Sequence, residues 1–265
     1  MNIHDTFADG ALPYWNRFAV GRAWIVEQFG ALRFVLGPVK VETLPATSLA
    51  QALSDVELND HRLYERGRWP WRPPLRLMVR ARASHGQDQL LGTAGFGFWN
   101  APFGAGNAAA DSPQAVWFFH ASPPSFMSMS NNGAGNGWRA QVLNAPRVPK
   151  FIVLLGGLAW YVLKPLRPLF YRAAQTQVGG GEVLISASLT EWHTYRLDWL
   201  RDQVDFFVDE QKIFTSHSSP RGALGFVAWL DNSMLSVRDG DIRFGNLDVP
   251  ERQWFELSEV KIEGL

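Results

Sequence analysis

Hydrophobic and polar residues alternate with a period of two along much of this chain. In 75–83, Leu75, Leu77, Val79 and Ala81 alternate with Arg76, Met78, Arg80 and Arg82. That is the pattern of a strand with one face in a core. The same reading predicts strands at 30–37, 75–84, 94–100, 115–121, 182–189, 193–200, 203–214, 222–230 and 254–264. Asp209-Glu210 predicts a hairpin turn between "DFFV" and "QKIF". "ATSLAQALSD" (46–55) is read as a short helix, and 101–114 and 122–150 as loops rich in Gly, Pro, Asn and Ser. Many short strands without regular helices define an all-β, antiparallel sandwich or barrel. No linker divides the chain, so residues 1–265 are read as a single domain.

One segment breaks the alternation. Residues 148–172 read "VPKFIVLLGGLAWYVLKPLRPLFYR", and from Phe151 to Leu163 there is no charged or polar side chain. As a helix this run spans roughly 20 Å, short of the ~30 Å of a bilayer's hydrocarbon core. It is apolar all round, unlike an amphipathic surface helix. The expectation is a hydrophobic insertion acting as a lid or interfacial helix through Phe151, Leu154, Leu155, Leu158, Trp160 and Tyr161. Lys150, Lys164, Arg167 and Arg172 would stand at headgroup level in the interfacial version. A plain core helix is the alternative.

Composition narrows the chemistry. Lys+Arg 25 balance Asp+Glu 25, so no global field selects nucleic acid. Zero cysteines exclude disulfides, zinc-thiolate sites and cysteine nucleophiles. Six histidines are scattered singly, so no metal site and no cofactor are expected. "MNIHDTFADGALPYW" shows no secretory pattern, which makes the cytoplasm the expected compartment, with peripheral membrane association through 151–163 as an alternative. Between Asp88 and Glu182 the only acid is Asp111, while the same interval carries Arg139, Arg147, Lys150, Lys164, Arg167 and Arg172.

Several stretches carry a family likeness. "WHTYRLDWLRDQVDFFVDEQKIF" contains His193, Tyr195, Trp199, Phe207, Val208 and Asp209, and "DTFADGALPYW", "GTAGFGFWN", "AVWFFHASPP", "PRGALGFVAWLDN" and "LSEVKIEG" follow in matching order. This order resembles the concanavalin A-like jelly roll of the family-16 glycoside hydrolases, the laminarinase and licheninase type. The resemblance implies a β-sandwich whose concave face is crossed by a catalytic strand at 115–121. Family members carry alternating carboxylates on that strand, as retaining hydrolysis requires two of them about 5 Å apart. Here "AVWFFHASPPS" has none; the nearest acids are Asp111 and Glu182. The resemblance also allows a structural Ca²⁺ near the chain ends, but Ca²⁺ is not expected here.

The candidate site follows from that strand. Either Val116, Phe118 and His120 or Trp117, Phe119 and Ala121 face the cleft. His120 and Asp231 are candidate proton handlers, His120 because its free pKa near 6.5 suits transfer at neutral pH. Trp99, Trp117, Phe119, Met127, Met129, Asn132, Trp138, Trp229 and Asn232 are candidate ligand contacts. Against these stand plainer readings: core aromatics, a hydrogen-bonded structural histidine, and Asp-Asn as turn residues. The function expected is a non-hydrolytic protein that binds, or also isomerises or cyclises, an apolar small molecule under a hydrophobic lid. The alternatives are a lectin-like carbohydrate-binding module and a peripheral membrane protein. No nucleic-acid partner is expected.

Overall fold

The computed structural model describes residues 2–13, 15–41, 53–60, 69–100, 112–129, 133–145, 178–238 and 241–265. Its strands, in chain order, are β1 (Ile3–Asp5), β2 (Asn16–Val20), β3 (Ala23–Gln28), β4 (Ala31–Leu36), β5 (Asp55–Asn59), β6 (Leu75–Ala83) and β7 (Thr93–Trp99). There follow β8 (Gln114–Ala121), β9 (Gly137–Asn144), β10 (Gly179–Leu184), β11 (His193–Trp199), β12 (Val204–Val208) and β13 (Gln211–Ser216). The last are β14 (Gly225–Asp231), β15 (Ser233–Arg238), β16 (Asp241–Asn246) and β17 (Gln253–Gly264).

They form two packed antiparallel sheets. One runs β13-β12-β11-β6-β17-β4-β3, with β1 added beside β17. The other runs β10-β9-β8-β7-β14-β5-β2, and β15-β16 make a separate ribbon. The expected alternation in β6 is met: its odd-numbered residues are buried and its even-numbered ones half-buried. Aromatic side chains from both sheets meet between them, as in the stacked Phe96–Phe255 pair (6.1 Å) and the edge-on Phe118–Phe206 pair (5.3 Å). Burying such rings is the largest favourable contribution to the sandwich. Asp209 and Glu210 both take positive φ, as a two-residue hairpin between β12 and β13 demands.

Three expectations change. The loop read over 122–150 contains β9, whose Trp138, Ala140 and Val142 point into the core. The strand read over 182–189 ends at Leu184 and begins earlier, at Gly179. Asp55, the end of the stretch read as a helix, opens β5, and 46–52 lie outside the described residues. Residues 148–172, with Phe151, Leu154, Leu155, Leu158, Trp160 and Tyr161, also lie outside them. No helix among the described residues is long and apolar enough to cross a membrane.

The outer face of the β6 sheet is clad by charge and rings. Glu256 is buried between Arg33 and Arg82, at 2.7 and 2.6 Å, and both guanidinium groups lie over the Trp254 ring. This paired cladding covers the Trp254 part of that face.

Candidate functional site

On β8 the two faces separate cleanly. Val116 and Phe118 pack into the core between the sheets, whereas Ala115, Trp117, Phe119 and Ala121 form a second, outward cluster with Val227 and Trp229. Trp99, Met127 and Leu143 pack against that cluster. The outward face is therefore the one carrying Trp117, Phe119 and Ala121, the second of the two registers open to the sequence.

Antiparallel register turns this face into rows, because directly opposed residues project to the same side. One row reads Phe119, Gly95, Trp229, Glu57, Phe18 across β8, β7, β14, β5 and β2. Its neighbour reads Trp117, Gly97, Val227, Asn59, Asn16, and the row on the other side Ala121, Thr93, Asp231, Asp55, Val20. The rings of Trp99, Phe119 and Trp229 surround Trp117 with centroids 5.8, 5.5 and 5.4 Å away. Glycine makes this wall possible. A Cβ on Gly95 would meet the Phe118 carbonyl at 2.4 Å and the Trp229 ring at 2.9 Å. The large rings of β8 and β14 thus lean over a strand that has no side chains of its own there.

Acids border the wall on β14 and β5. Asp231 accepts hydrogen bonds from Thr93 Oγ1 (2.8 Å) and the Ser233 amide (2.7 Å), and Trp229 Nε1 donates to the same Thr93 hydroxyl (2.9 Å). Asp55 stands directly opposite Asp231, and Glu57 accepts from Asn59 Nδ2 (2.5 Å). Desolvation, with the charges of Asp231 and Glu57 beside it, pushes Asp55 up to about 8. Desolvation raises Asp231 to about 6 against the Ser233 and Thr93 hydrogen bonds, and it raises Glu57 with Asp231 adding to the effect. Asp55 and Asp231 at these values give and take protons near neutral pH. No group of acids and histidines among the described residues could hold a metal ion.

The opposite end of the face is locked. Glu182 accepts from Arg139 Nη1 (3.0 Å), Gln141 Nε2 (2.9 Å), the Met129 amide (3.1 Å) and Ser128 Oγ. Trp117 Nε1 donates to Gln141 Oε1 at 2.9 Å, so the wall is fastened to this network. Arg139 also donates to the carbonyls of Ala134 and Asn136, holding the loop before β9.

The sequence candidates are distributed unevenly. Trp99, Trp117, Phe119, Met127, Trp229 and Asp231 come together on the outward face. Met129 lies over Gly180 at the β10 edge. Trp138 does not join them: it is fully buried in the core, edge-on to Tyr195 at 5.4 Å. Asn232 is buried and structural, accepting from the Ser54 amide and donating to the Leu247 carbonyl. Asn132 lies outside the described residues. His120 occupies the even, inward side of β8, bonded through Nε2 to the Leu90 carbonyl at 2.9 Å and with no solvent exposure. Desolvation lowers it to about 4. It is neutral, and the sheet itself separates it from Asp231, so the two do not form an acid–base pair. Asp55, Glu57 and Asn59 were missed. Their signal was available as "DVELN", an acid–apolar–acid alternation of the kind sought only at 115–121.

This is an antiparallel β-sandwich with a ring-lined, acid-bordered outward face, and comparison with known proteins gives that class its relatives. No protein-family model and no curated protein sequence matches the chain. Solved structures do match along its whole length. LamA from Z. galactanivorans, in complex with laminaritriose and laminaritetraose, superposes with a TM-score of 0.54 at 15% identity, covering 98% of this chain and 97% of that one. The Bacillus licheniformis β-glucanase gives 0.52 at 8% identity, with 100% and 98% covered. The Bacteroides ovatus mixed-linkage-glucan GH16, in complex with a product, gives 0.51 at 11%, with 98% and 99% covered. The chain has the concanavalin A-like jelly-roll fold that the sequence resembles; identities this low establish the fold and nothing of the activity.

Proposed function

We propose that the outward face of the β8 sheet binds a carbohydrate. The observation that carries this is the row Phe119, Gly95, Trp229, Glu57, Phe18, in which rings and a carboxylate alternate across neighbouring strands. A sugar ring has an apolar C–H face, which suits an indole surface, and a rim of hydroxyl donors, which suits carboxylate and amide acceptors. Trp229 and Trp117 provide the first, and Glu57, Asp55, Asp231 and Asn59 the second. The glycan-bound neighbours share the fold and so favour the same ligand class.

Hydrolysis by a carboxylate pair on β8 is not part of the proposal, because its outward side chains are Ala115, Trp117, Phe119 and Ala121. The acids stand on β14 and β5 instead, where Glu57 is directly opposite Trp229 and Asp231 and Asp55 form the neighbouring pair. A glycan array tests the reading: binding to a defined oligosaccharide set supports it, and an array without signal contradicts it.

A second reading is an apolar small molecule, favoured by the low exposure of Trp117 (8%), Phe119 (2%) and Trp229 (9%). Mass spectrometry of molecules co-purifying with the protein separates the two. A stoichiometric terpenoid, polyketide or lipid with a silent array would establish the second reading over the first.

A further inference from the structure

The β15–β16 ribbon stands apart from both sheets, and its register sorts its side chains onto two faces. Leu235, Val237, Ile242 and Phe244 share one face, and Ser236, Arg238, Asp241 and Arg243 share the other. On the first face Ile242 is 58% and Phe244 74% exposed. Two large apolar side chains this open on one side of one strand mark an interaction surface.

The backbone points to the same strand independently. Leu247 N–H donates to the Asn232 carbonyl at 2.7 Å. On the far side of β15, the Leu235 carbonyl and Val237 N–H are turned to Phe126, at 3.0 and 2.9 Å. Because bonding direction alternates along a strand, Asp241, Arg243 and Gly245 are the residues that bond to β15. The N–H and C=O groups of Ile242 and Phe244 therefore face outward, along an edge with no strand beside it among the described residues. Exposed edges are usually blunted by lysine, proline or a bulge. The strand β16, "DIRFGN", has none of these.

We infer that β16 is a self-pairing edge, at which two copies of this chain join their ribbons into one antiparallel sheet, β15-β16-β16-β15. Charge selects both the partner and the register. With Ile242 on the two-fold axis, Asp241 of each copy falls opposite Arg243 of the other. The two Ile242 residues then exchange N–H···O=C bonds, and their side chains cover each other. Moving the axis to Arg243 keeps the bonding direction but sets arginine against arginine, which is destabilising. Asp241 and Arg243 already bond within each copy at 2.7 Å, so pairing closes the charges of both copies into one ring of alternating sign. Residues 233–246 carry Arg238 and Arg243 against Asp239 and Asp241, so the ribbon has no net charge to draw it to an anionic surface.

An edge this short is small beside a standard interface, so a dissociation constant on the order of 10 μM is expected. Sedimentation velocity from about 1 to about 200 μM is run on wild type, Asp241→Arg, Arg243→Asp and an equimolar mixture of the two variants. Wild type should pass from monomer to dimer across that range. Each charge-reversed variant should dimerise roughly tenfold more weakly or worse, and the mixture should regain wild-type association. Rescue by the mixture is specific to 241 facing 243 between copies. Ile242→Glu, which changes an exposed side chain on the axis, should also abolish the dimer, and it replaces any variant that circular dichroism shows to be unfolded. A wild type that stays monomeric, a dimer indifferent to the substitutions, or a mixture that fails to recover overturns the inference. Flotation of monomeric wild type with phosphatidylcholine vesicles would give the apolar face to lipid and overturn it as well.

Discussion

Asp55 and His120 show how one protein uses burial in opposite senses. Asp55, raised to about 8, holds its proton more tightly folded than unfolded. Its contribution to stability is therefore present at low pH and is lost as pH rises from the unfolded carboxyl value of about 4 through 8. His120, lowered to about 4, does the reverse: its contribution is present above about 6.5 and is lost as pH falls through 4. Thermal melts of wild type between about pH 5 and pH 8 should thus fall with pH more steeply than those of Asp55→Asn. Parallel curves for the two proteins would show that Asp55 titrates normally. His120 was a reasonable candidate from its residue type alone, and its place on the inward side of β8 removes it. A single even or odd position decided its role, and residue identity cannot reveal which face is inward when both are apolar.

At the level of elements, the strands with strict alternation were legible, and those with both faces buried were only partly so. β6 has arginines on one side and aliphatics on the other, so its register is written in its residues. β8 is buried on both faces, and the sequence left its two registers open. β9 was hidden because "SNNGAGNG" precedes it, although Trp138, Ala140 and Val142 alternate with Arg139 and Gln141. Arg139 now identifies what β9 does: nearly fully buried, it pairs with Glu182 and pins the preceding loop. Arg139→Ala would leave Glu182 without its ion pair and should cost about 3–5 kcal/mol, read as a shifted urea midpoint. An unchanged midpoint would mean the pair is dispensable. On β7, Gly95→Ala should cost about 1–3 kcal/mol by overpacking and should also weaken ligand binding, since the Trp229 ring must move. Loss of stability with unaltered binding would separate Trp229 from the site.

On the scale of the molecule, the sandwich and its jelly-roll likeness were readable, whereas the site was readable only in part. Trp117 and Trp229 could be proposed because the likeness sends their strands through the cleft. Asp55 and Glu57 could not, because β5 reaches β14 only through the folded strand order β7-β14-β5, between segments far apart in sequence. With the carboxylates of β8 missing, the sequence reading placed Asp231 alone among acids at the cleft; Asp55 and Glu57 stand one strand beyond it, on β5. The outer face of the β6 sheet makes a natural control, since Trp254 there is held by Arg33 and Arg82. Titration calorimetry with the strongest array ligand, run on wild type, Trp229→Ala and Trp254→Ala, tests the location of the site most directly. Binding should weaken at least tenfold in Trp229→Ala, the loss of about 1.4 kcal/mol or more expected for a stacked ring, and stay unchanged in Trp254→Ala. Intact binding in Trp229→Ala, or a matching loss in Trp254→Ala, would contradict the placement of the ligand on the β8 sheet.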